Sequence, residues 1–380
     1  MRIPWTLTQL FFASVLLANS PNGACYEKTG QGENQPFQEA TLRGRLLEMD
    51  CIIKPIYTKE VAAYLKSYLS YGFKDSEQLL GKSVLYFPIF EHYLQLYDLP
   101  EELKYLPMIE SRLRPYAVST AGAAGLWQFM PRTARQYGLK INSYVDERKD
   151  PYRSSEAAVK HLAKLYKRFG SWELALAAYN CGSTKMSSVI RLAHTTDFWK
   201  LRKYLPRETR SYVPRLIAAT YFATYYRLYG LKPVYPDFEQ QWTRTTLVFH
   251  SVSFREISKT TGASVNSIRQ LNPGYKRSFI PTNPEGYFLV LPEPAMQAFR
   301  ERQNSKYGTK FAAAGQPPSE DYFKSNYVVL AGDSIESLAR LYNCSVENIL
   351  RWNNLHSREL LYRQELVLYH LKKGNRKERA

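Results

Sequence analysis

Within YLPMIESRLRP, residues 105–115, one acid sits in a run that otherwise has the composition of a buried helix. At 3.6 residues per turn Leu103, Leu106, Glu110 and Leu113 share one stripe, which puts the Glu110 carboxyl on the apolar side. Met108 and Ile109 make the remaining faces apolar as well, which suits a helix surrounded by protein, and Pro107 is expected to cost that helix a hydrogen bond and to kink it. Removal from water disfavours an ionised carboxyl, so an acid in this setting has a raised pKa and can donate a proton near neutral pH. The alternative is structural: Glu110 pairs with Arg112 or Arg114, since ion-pair networks also perturb acids.

Downstream, TAGAAG (residues 120–125) is too rich in Gly and small residues for a helix interior and reads as a tight loop approached by backbone or ligand. Trp127, Phe129 and Met130 follow, with Gln128 among them, setting flat apolar surfaces beside an amide. Sugar rings bind in that way, apolar face on aromatic and hydroxyls on amides; a Gly-rich turn leading into a core helix gives the same pattern. AAYNCG and PRETRSYVP each place a Tyr near polar residues at the end of a helical pattern. Asp146 and Asp150, in VDERKDP, read as loop and helix-cap residues rather than as a second catalytic acid.

The elements that must position these groups are amphipathic helices. TKEVAAYLKSYLSYGF, VLYFPIFEHYLQLY, EELKYLPMIESRL, WQFMPRTARQYGL, SEAAVKHLAKLYKRF, WELALAAYN and RSYVPRLIAATYFATYYRLY all carry apolar residues at three- and four-residue spacing, so residues 58–230 are predicted all-α. After LKPVYPDF the pattern changes to short β-rich runs alternating with short helices, and a second region begins near residue 244.

A chain of 380 residues with 44% apolar content can bury a sizeable core and two or three domains, which excludes a disordered protein. MRIPWTLTQLFFASVLLANSPNGAC has an early Arg, an apolar stretch and then small residues, the pattern of an export signal over 1–24. Cleavage after Ser20 and lipidation of Cys25 within NGAC are the two alternatives for its processing. Cys51, Cys181 and Cys344 are scattered, as are the six His, which argues against a disulfide framework and against a metal cluster. The net charge of +18 suits a polyanion, but Lys and Arg are spread along helices and the one dense run is the terminal KKGNRKERA, so a dedicated nucleic-acid module is excluded.

SVNSIRQLN (264–272) and SVENILRWN (345–353) superpose at an offset of 81 residues, within two copies that each read strand, helix, helix, strand. Ser253 with Glu256, and Asp333 with Glu336, mark capping boxes at the first helix of each copy. The second copy, YVVLAGDSIESLARLYNCSVENILRWNNL, resembles the LysM module. That resemblance implies binding of N-acetylglucosamine-containing glycans in a shallow groove lined by Gly332, Asp333, Ser334, Asn353, Asn354 and Leu355. The first copy has Ser251 and Val252 in place of the Gly-Asp pair and looks like a degenerate LysM.

In order along the helical region, Glu110-Ser111, the GLWQ of 125–128, the AYNCG of 178–182 and Tyr212 within ETRSYVPR resemble the soluble lytic transglycosylase family of the lysozyme superfamily. The resemblance implies a mainly α, lysozyme-like catalytic domain followed by small α+β LysM (βααβ) modules. It divides the chain into a leader 1–24, an N-terminal helical extension 25–75, a catalytic domain 76–232, a degenerate module 244–292, a linker 293–325, a LysM module 326–371 and a basic tail 372–380. It further implies that Glu110 is both acid and base in cutting peptidoglycan glycan strands between N-acetylmuramic acid and N-acetylglucosamine, with no cofactor and no metal. Ser111 would orient the glutamate or substrate, Gln128, Tyr179 and Asn180 would hydrogen-bond the N-acetylated sugars, Met130 would pack on a ring, and Tyr212 would sit close to the carboxyl. A hydrolytic muramidase and a non-catalytic cell-wall-binding protein are the competing readings. The expected location is the periplasm or cell envelope, with outer-membrane attachment if Cys25 is lipidated.

Overall fold

The computed structural model describes residues 39–49, 51–283, 286–307, 322–329, 334–342, 344–353, 355, 357–361 and 364–371. The expected leader 1–24, Cys25, the groove residues Gly332, Asp333 and Asn354, and the basic tail 372–380 lie outside the described residues.

The helical region comprises α1 (Glu39–Glu48), α2 (Lys59–Lys66), continued by one π turn over Ser67–Tyr71, and α3 (Phe73–Leu96); after a 3-10 turn over Glu101–Tyr105 come α4 (Leu106–Ser111) and α5 (Pro131–Gln136), then α6 (Pro151–Phe169), α7 (Trp172–Cys181), α8 (Ser183–Ala193), α9 (Phe198–Leu201), α10 (Arg207–Arg210) and α11 (Tyr212–Tyr225). Local chemistry sets the ends. Asp150 caps α6 by accepting from the Tyr152 and Arg153 amides, Pro151 occupies the first turn where no amide is needed, and Gly170 closes it in the left-handed conformation. Helix α7 buries Leu174, Ala175, Leu176, Ala177 and Ala178 in succession and α11 buries the ten residues from Tyr212 to Phe222 other than Arg215, so both are enclosed on nearly every side.

Two expected boundaries shift. One apolar cluster runs from Leu42 and Leu46 of α1 to Leu231, α2 packs on α11, and α3 crosses the boundary placed at 75/76, so the described part of the expected extension belongs to the helical body. The leading part of the expected linker is a helix, Glu293–Tyr307, because its Ala295, Met296 and Phe299 join the core of the first module.

After the four-residue α12 (Phe238–Gln241), the first module runs β1 (Thr243–Val248), β2 (Val252–Ser253), α13 (Phe254–Thr261), α14 (Val265–Leu271), β3 (Phe279–Ile280), β4 (Tyr287–Pro292) and α15 (Glu293–Tyr307), with β1 antiparallel to β4 from Thr243↔Pro292 to Val248↔Tyr287. The second is β5 (Tyr322–Val328), α16 (Ile335–Leu341), α17 (Val346–Trp352) and β6 (Glu365–Leu371), with β5 antiparallel to β6. The two copies share a latch. Asn272 Nδ2 donates to Ile268 O and Val290 O, both at 2.7 Å, while its Oδ1 accepts from the Val290 amide. Asn353 Nδ2 donates to Ile349 O at 2.9 Å and Val367 O at 2.8 Å, and its Oδ1 accepts from the Val367 amide. Asn353, expected to contact glycan, therefore spends both of its N–H donors on tying α17 to β6. Asn353→Ala is expected to orphan these partners and to weaken the second module by about 1–3 kcal/mol, read as faster amide exchange along β6. Among the described residues no helix is long and apolar enough to cross a membrane.

Candidate active site

Glu110 stands in the last turn of α4, and that helix is shorter than its periodicity predicts. Pro107 lies in the first turn, so it costs no hydrogen bond, and the chain leaves the helix at Arg112 and Leu113, both at φ +53°. Leu113 is buried, but through this left-handed turn rather than along a continued stripe. Gln128 is also left-handed, at φ +49°, so three of the five such non-glycine residues among those described fall in the two segments that meet at the site. Each is disfavoured by roughly 1–2 kcal/mol, the kind of strain that persists where packing over-determines the backbone.

Glu110 is half-buried, with its carboxyl bonded to Tyr212 of α11 and close enough to Tyr179 of α7 to act on it electrostatically. Burial drives its pKa up; against that, Tyr212 Oη donates to Oε1 and the Arg215 guanidinium favours the charged form, while Glu208 opposes ionisation. Burial prevails, and the pKa is pushed up to about 7. Arg112 and Arg114 do not form the expected pair with Glu110: Arg112 lies 3.5 Å from Asp75 and Arg114 Nε donates to Ser111 O. Arg215 Nη2 donates to Ile109 O, fixing the helix turn that carries the acid. Tyr212 is 1% exposed and its own pKa is pushed well up by burial and by Glu110. Since the Tyr212 hydrogen bond favours the glutamate, Tyr212→Phe is expected to raise the Glu110 pKa above about 7, moving the alkaline limb of the pH–rate profile upward. The same variant should cost about 1.5–3 kcal/mol of interaction at the carboxyl.

Most of the other residues singled out from the sequence brace the loop beside Glu110. The Ser111 hydroxyl, 3% exposed, lies 2.9 Å from Leu126 O and 3.1 Å from Pro107 O, so it ties α4 to the loop and does not reach the surface. Tyr179 Oη donates to Trp127 O at 2.8 Å. Gln128 Nε2 donates to Gly125 O at 2.8 Å and lies 3.4 Å from Ala117 O. Asn180 Oδ1 accepts from Thr209 Oγ1 at 2.7 Å. Trp127 and Phe129 are not exposed platforms: Trp127 is wholly buried with Nε1 donating to Ser155 Oγ, and Phe129 packs beside Tyr179. Met130 is exposed, as are Tyr116, Val118 and Tyr144 in the flanking chain.

Sequence reasoning missed the clamp on this loop. Arg148 and Asp146 form a buried two-bond pair, both at 2.8 Å, and Arg148 Nη1 donates to Gly122 O at 2.7 Å and Phe129 O at 3.1 Å. Gly125, at φ +85°, lies so close that a Cβ there would stand 1.7 Å from Arg148 O. Arg215, Thr209 and Glu208 were missed as well. Arg215 alone carried a local signal, three residues after Tyr212 on one helical face.

Residues 87–202 match the transglycosylase SLT domain, residues 243–308 the LysM-like domain of lytic transglycosylase MltD, and residues 327–368 the LysM domain. The fold is thus that of a mainly helical SLT domain with LysM modules behind it. Among the proteins that this chain resembles is membrane-bound lytic murein transglycosylase D of Escherichia coli K12, at 32% identity over 279 residues, 71% of this chain and 60% of that protein. The chain therefore spans about three fifths of the length of that relative. Peptidoglycan transglycosylase gp16 of Escherichia phage T7 is 34% identical over 124 residues, 32% of this chain and 9% of the phage protein. The 70 kDa soluble lytic transglycosylase of E. coli superposes on 50% of this chain and 33% of its own, at 20% identity and a TM-score of 0.34.

Proposed function

We propose that this chain is an exported peptidoglycan lytic transglycosylase and that Glu110 performs both proton transfers. The observation that carries the reading is a carboxyl whose pKa burial lifts to about 7, held by Tyr212 and reached by only a strip of surface. Protonated Glu110 donates to the glycosidic oxygen between N-acetylmuramic acid and N-acetylglucosamine as the C1–O bond breaks, and the 2-acetamido oxygen closes on C1 as an oxazolinium. The Glu110 carboxylate then takes the proton of the sugar's C6 hydroxyl, and O6 displaces the acetamido oxygen to form a 1,6-anhydro ring. The proton leaves and returns to one carboxyl, and no water is consumed.

A conventional glycosidase needs a second carboxylate, and the three acids of the segment 146–150 are already engaged. Asp146 is paired with Arg148, Glu147 Oε2 accepts from the Lys140 amide, and Asp150 caps α6. Glu208, exposed on α10 and felt electrostatically at Glu110, is the acid that would serve a hydrolytic reading. Met130, with Tyr116 and Val118, would pack on sugar faces, while Asn180 and the carbonyl of Gln128 would meet N-acetyl groups. In the second module, Ser334 and Leu355 would join Gly332, Asp333 and Asn354 in a glycan groove. Export would follow from the leader, and attachment to the outer membrane from lipidation of Cys25, tested by labelled palmitate. Mass spectrometry of digested sacculi decides the chemistry. Products one water lighter than reducing-end fragments are expected; reducing ends throughout would make the protein a muramidase.

A further inference from the structure

In the internal repeat Asn272 corresponds to Asn353, so the segment 272–275 is the counterpart of the chain after α17, the edge expected to face glycan in the second copy. In the first copy this edge is covered by the helical domain. The Asp146 amide donates to Gly274 O at 2.8 Å, Val145 bridges Tyr275, and the Lys276 amide donates to Tyr144 O at 2.8 Å. Lys276 Nζ donates to Asn142 O at 2.6 Å, and a Cβ on Gly274 would stand 3.3 Å from Asp150 Cβ. Val145, 1% exposed, is part of the first module's apolar core although it belongs to the helical domain's chain. Contacts further along extend the seam: Tyr116 Oη donates to Arg269 O at 2.6 Å, Thr245 Oγ1 to Tyr152 Oη at 2.7 Å, and Lys140 Nζ to Asn283 Oδ1 at 3.1 Å.

We propose that the first module is a fixed buttress of the helical domain, not a sugar-binding arm, and that its edge positions the loop beside Glu110 through Asp146 and Arg148. The connection is continuous. Gly274 O holds the Asp146 backbone, the Asp146 carboxylate holds Arg148, and Arg148 holds Gly122 O and Phe129 O. The loop between those two carbonyls is bonded to the catalytic helix through Leu126 O and Ser111, and to α7 through Trp127 O and Tyr179. Backbone atoms committed to this seam cannot also receive a glycan, because burial leaves no room for one and each would lose its present partner. Gly274 and Tyr275 are therefore positioning residues.

The effect on turnover rests on the transglycosylase reading, so the test includes a measurement that needs no turnover. In the full chain, Gly274→Trp wedges the seam and Lys276→Ala removes one bond from it. Gly274→Trp is expected to lower kcat on a soluble peptidoglycan tetrasaccharide by about tenfold or more, since misplacement of order 1 Å at a reacting centre costs up to about a hundredfold. KM and retention on purified sacculi should stay near the parent values, and amides 122–129 should exchange faster. Lys276→Ala should move exchange and kcat in the same direction by less. Loss of sacculus retention with kcat and exchange unchanged would make the first module a binding arm and overturn the proposal. If Gly274→Trp does not fold, unchanged exchange at 122–129 in Lys276→Ala overturns it. An inactive parent sinks the transglycosylase reading alone, because exchange still reports the buttress.

Discussion

Glu110→Gln is expected to yield a folded protein whose release of anhydro-ended products falls by about a thousandfold, within the range supplied by positioned acid–base groups. The same substitution should stabilise the protein at alkaline pH. Glu110's folded-state pKa is raised from 4.5 to about 7, so between those values the folded chain binds more protons than the unfolded one and stability falls as pH rises. Relative to a neutral side chain, the carboxylate costs nothing below about pH 4.5 and, by linkage, about 3 kcal/mol above pH 7. Gln keeps an oxygen to accept from Tyr212 and carries no charge to desolvate. Urea midpoints of the two proteins should coincide at pH 4.5 and diverge by pH 8, with the variant ahead. Equal midpoints at both pH values would mean that the carboxyl is hydrated and ordinary, and the catalytic reading would lose its support.

Arg148→Leu is expected to cost about 3–5 kcal/mol, the usual result of stripping one partner from a buried ion pair. Asp146 and Arg148 are 5% and 9% exposed at their side chains. Burial by itself pushes the Asp146 carboxyl up, but the hydrogen bonds and charge of Arg148 outweigh it and hold the carboxyl below its usual range. Without Arg148 the acid is left buried and uncompensated, and Gly122 O and Phe129 O lose their donor. A depressed carboxylate pKa contributes stability above the unfolded value that is lost as pH falls through the folded one. The stability gap between parent and variant should therefore narrow on acidification. Asp146→Val combined with Arg148→Leu should recover much of the melting temperature, because a paired charge is replaced by apolar contact. Activity should stay low, because the two loop carbonyls remain without a donor. Recovery of both together would mean that the pair is structural and does not order the loop.

Several features were legible in the sequence because their causes lie within a few residues. Helical periodicity over 58–230, the Asp150 cap, the Gly-rich loop and the 81-residue repeat are local patterns, and the structure has helices, a cap, a loop and two βααβ units there. The apolar setting of Glu110 was legible too, although by a different route. Helical periodicity carries the stripe to Leu113, whereas α4 ends at Ser111 and the left-handed pair buries Leu113. Periodicity cannot foresee such a turn, because two non-glycine residues at positive φ contradict local preference and persist only through packing. For the same reason Trp127 looked like a platform and is core.

By itself the sequence determined the element types, the repeat, and the presence of one acid among apolar neighbours. Tertiary structure alone decided the electrostatic setting of that acid. Tyr212 lies 102 residues from Glu110 along the chain, Arg215 and Glu208 come from α11 and α10, and the pKa is a sum over groups that only packing brings together. It also decided that Ser111, Tyr179 and Asn353 spend their hydrogen bonds inward and that the first module closes on the helical domain. A residue type specifies which bonds a side chain can make, but which partner takes them depends on elements distant in sequence.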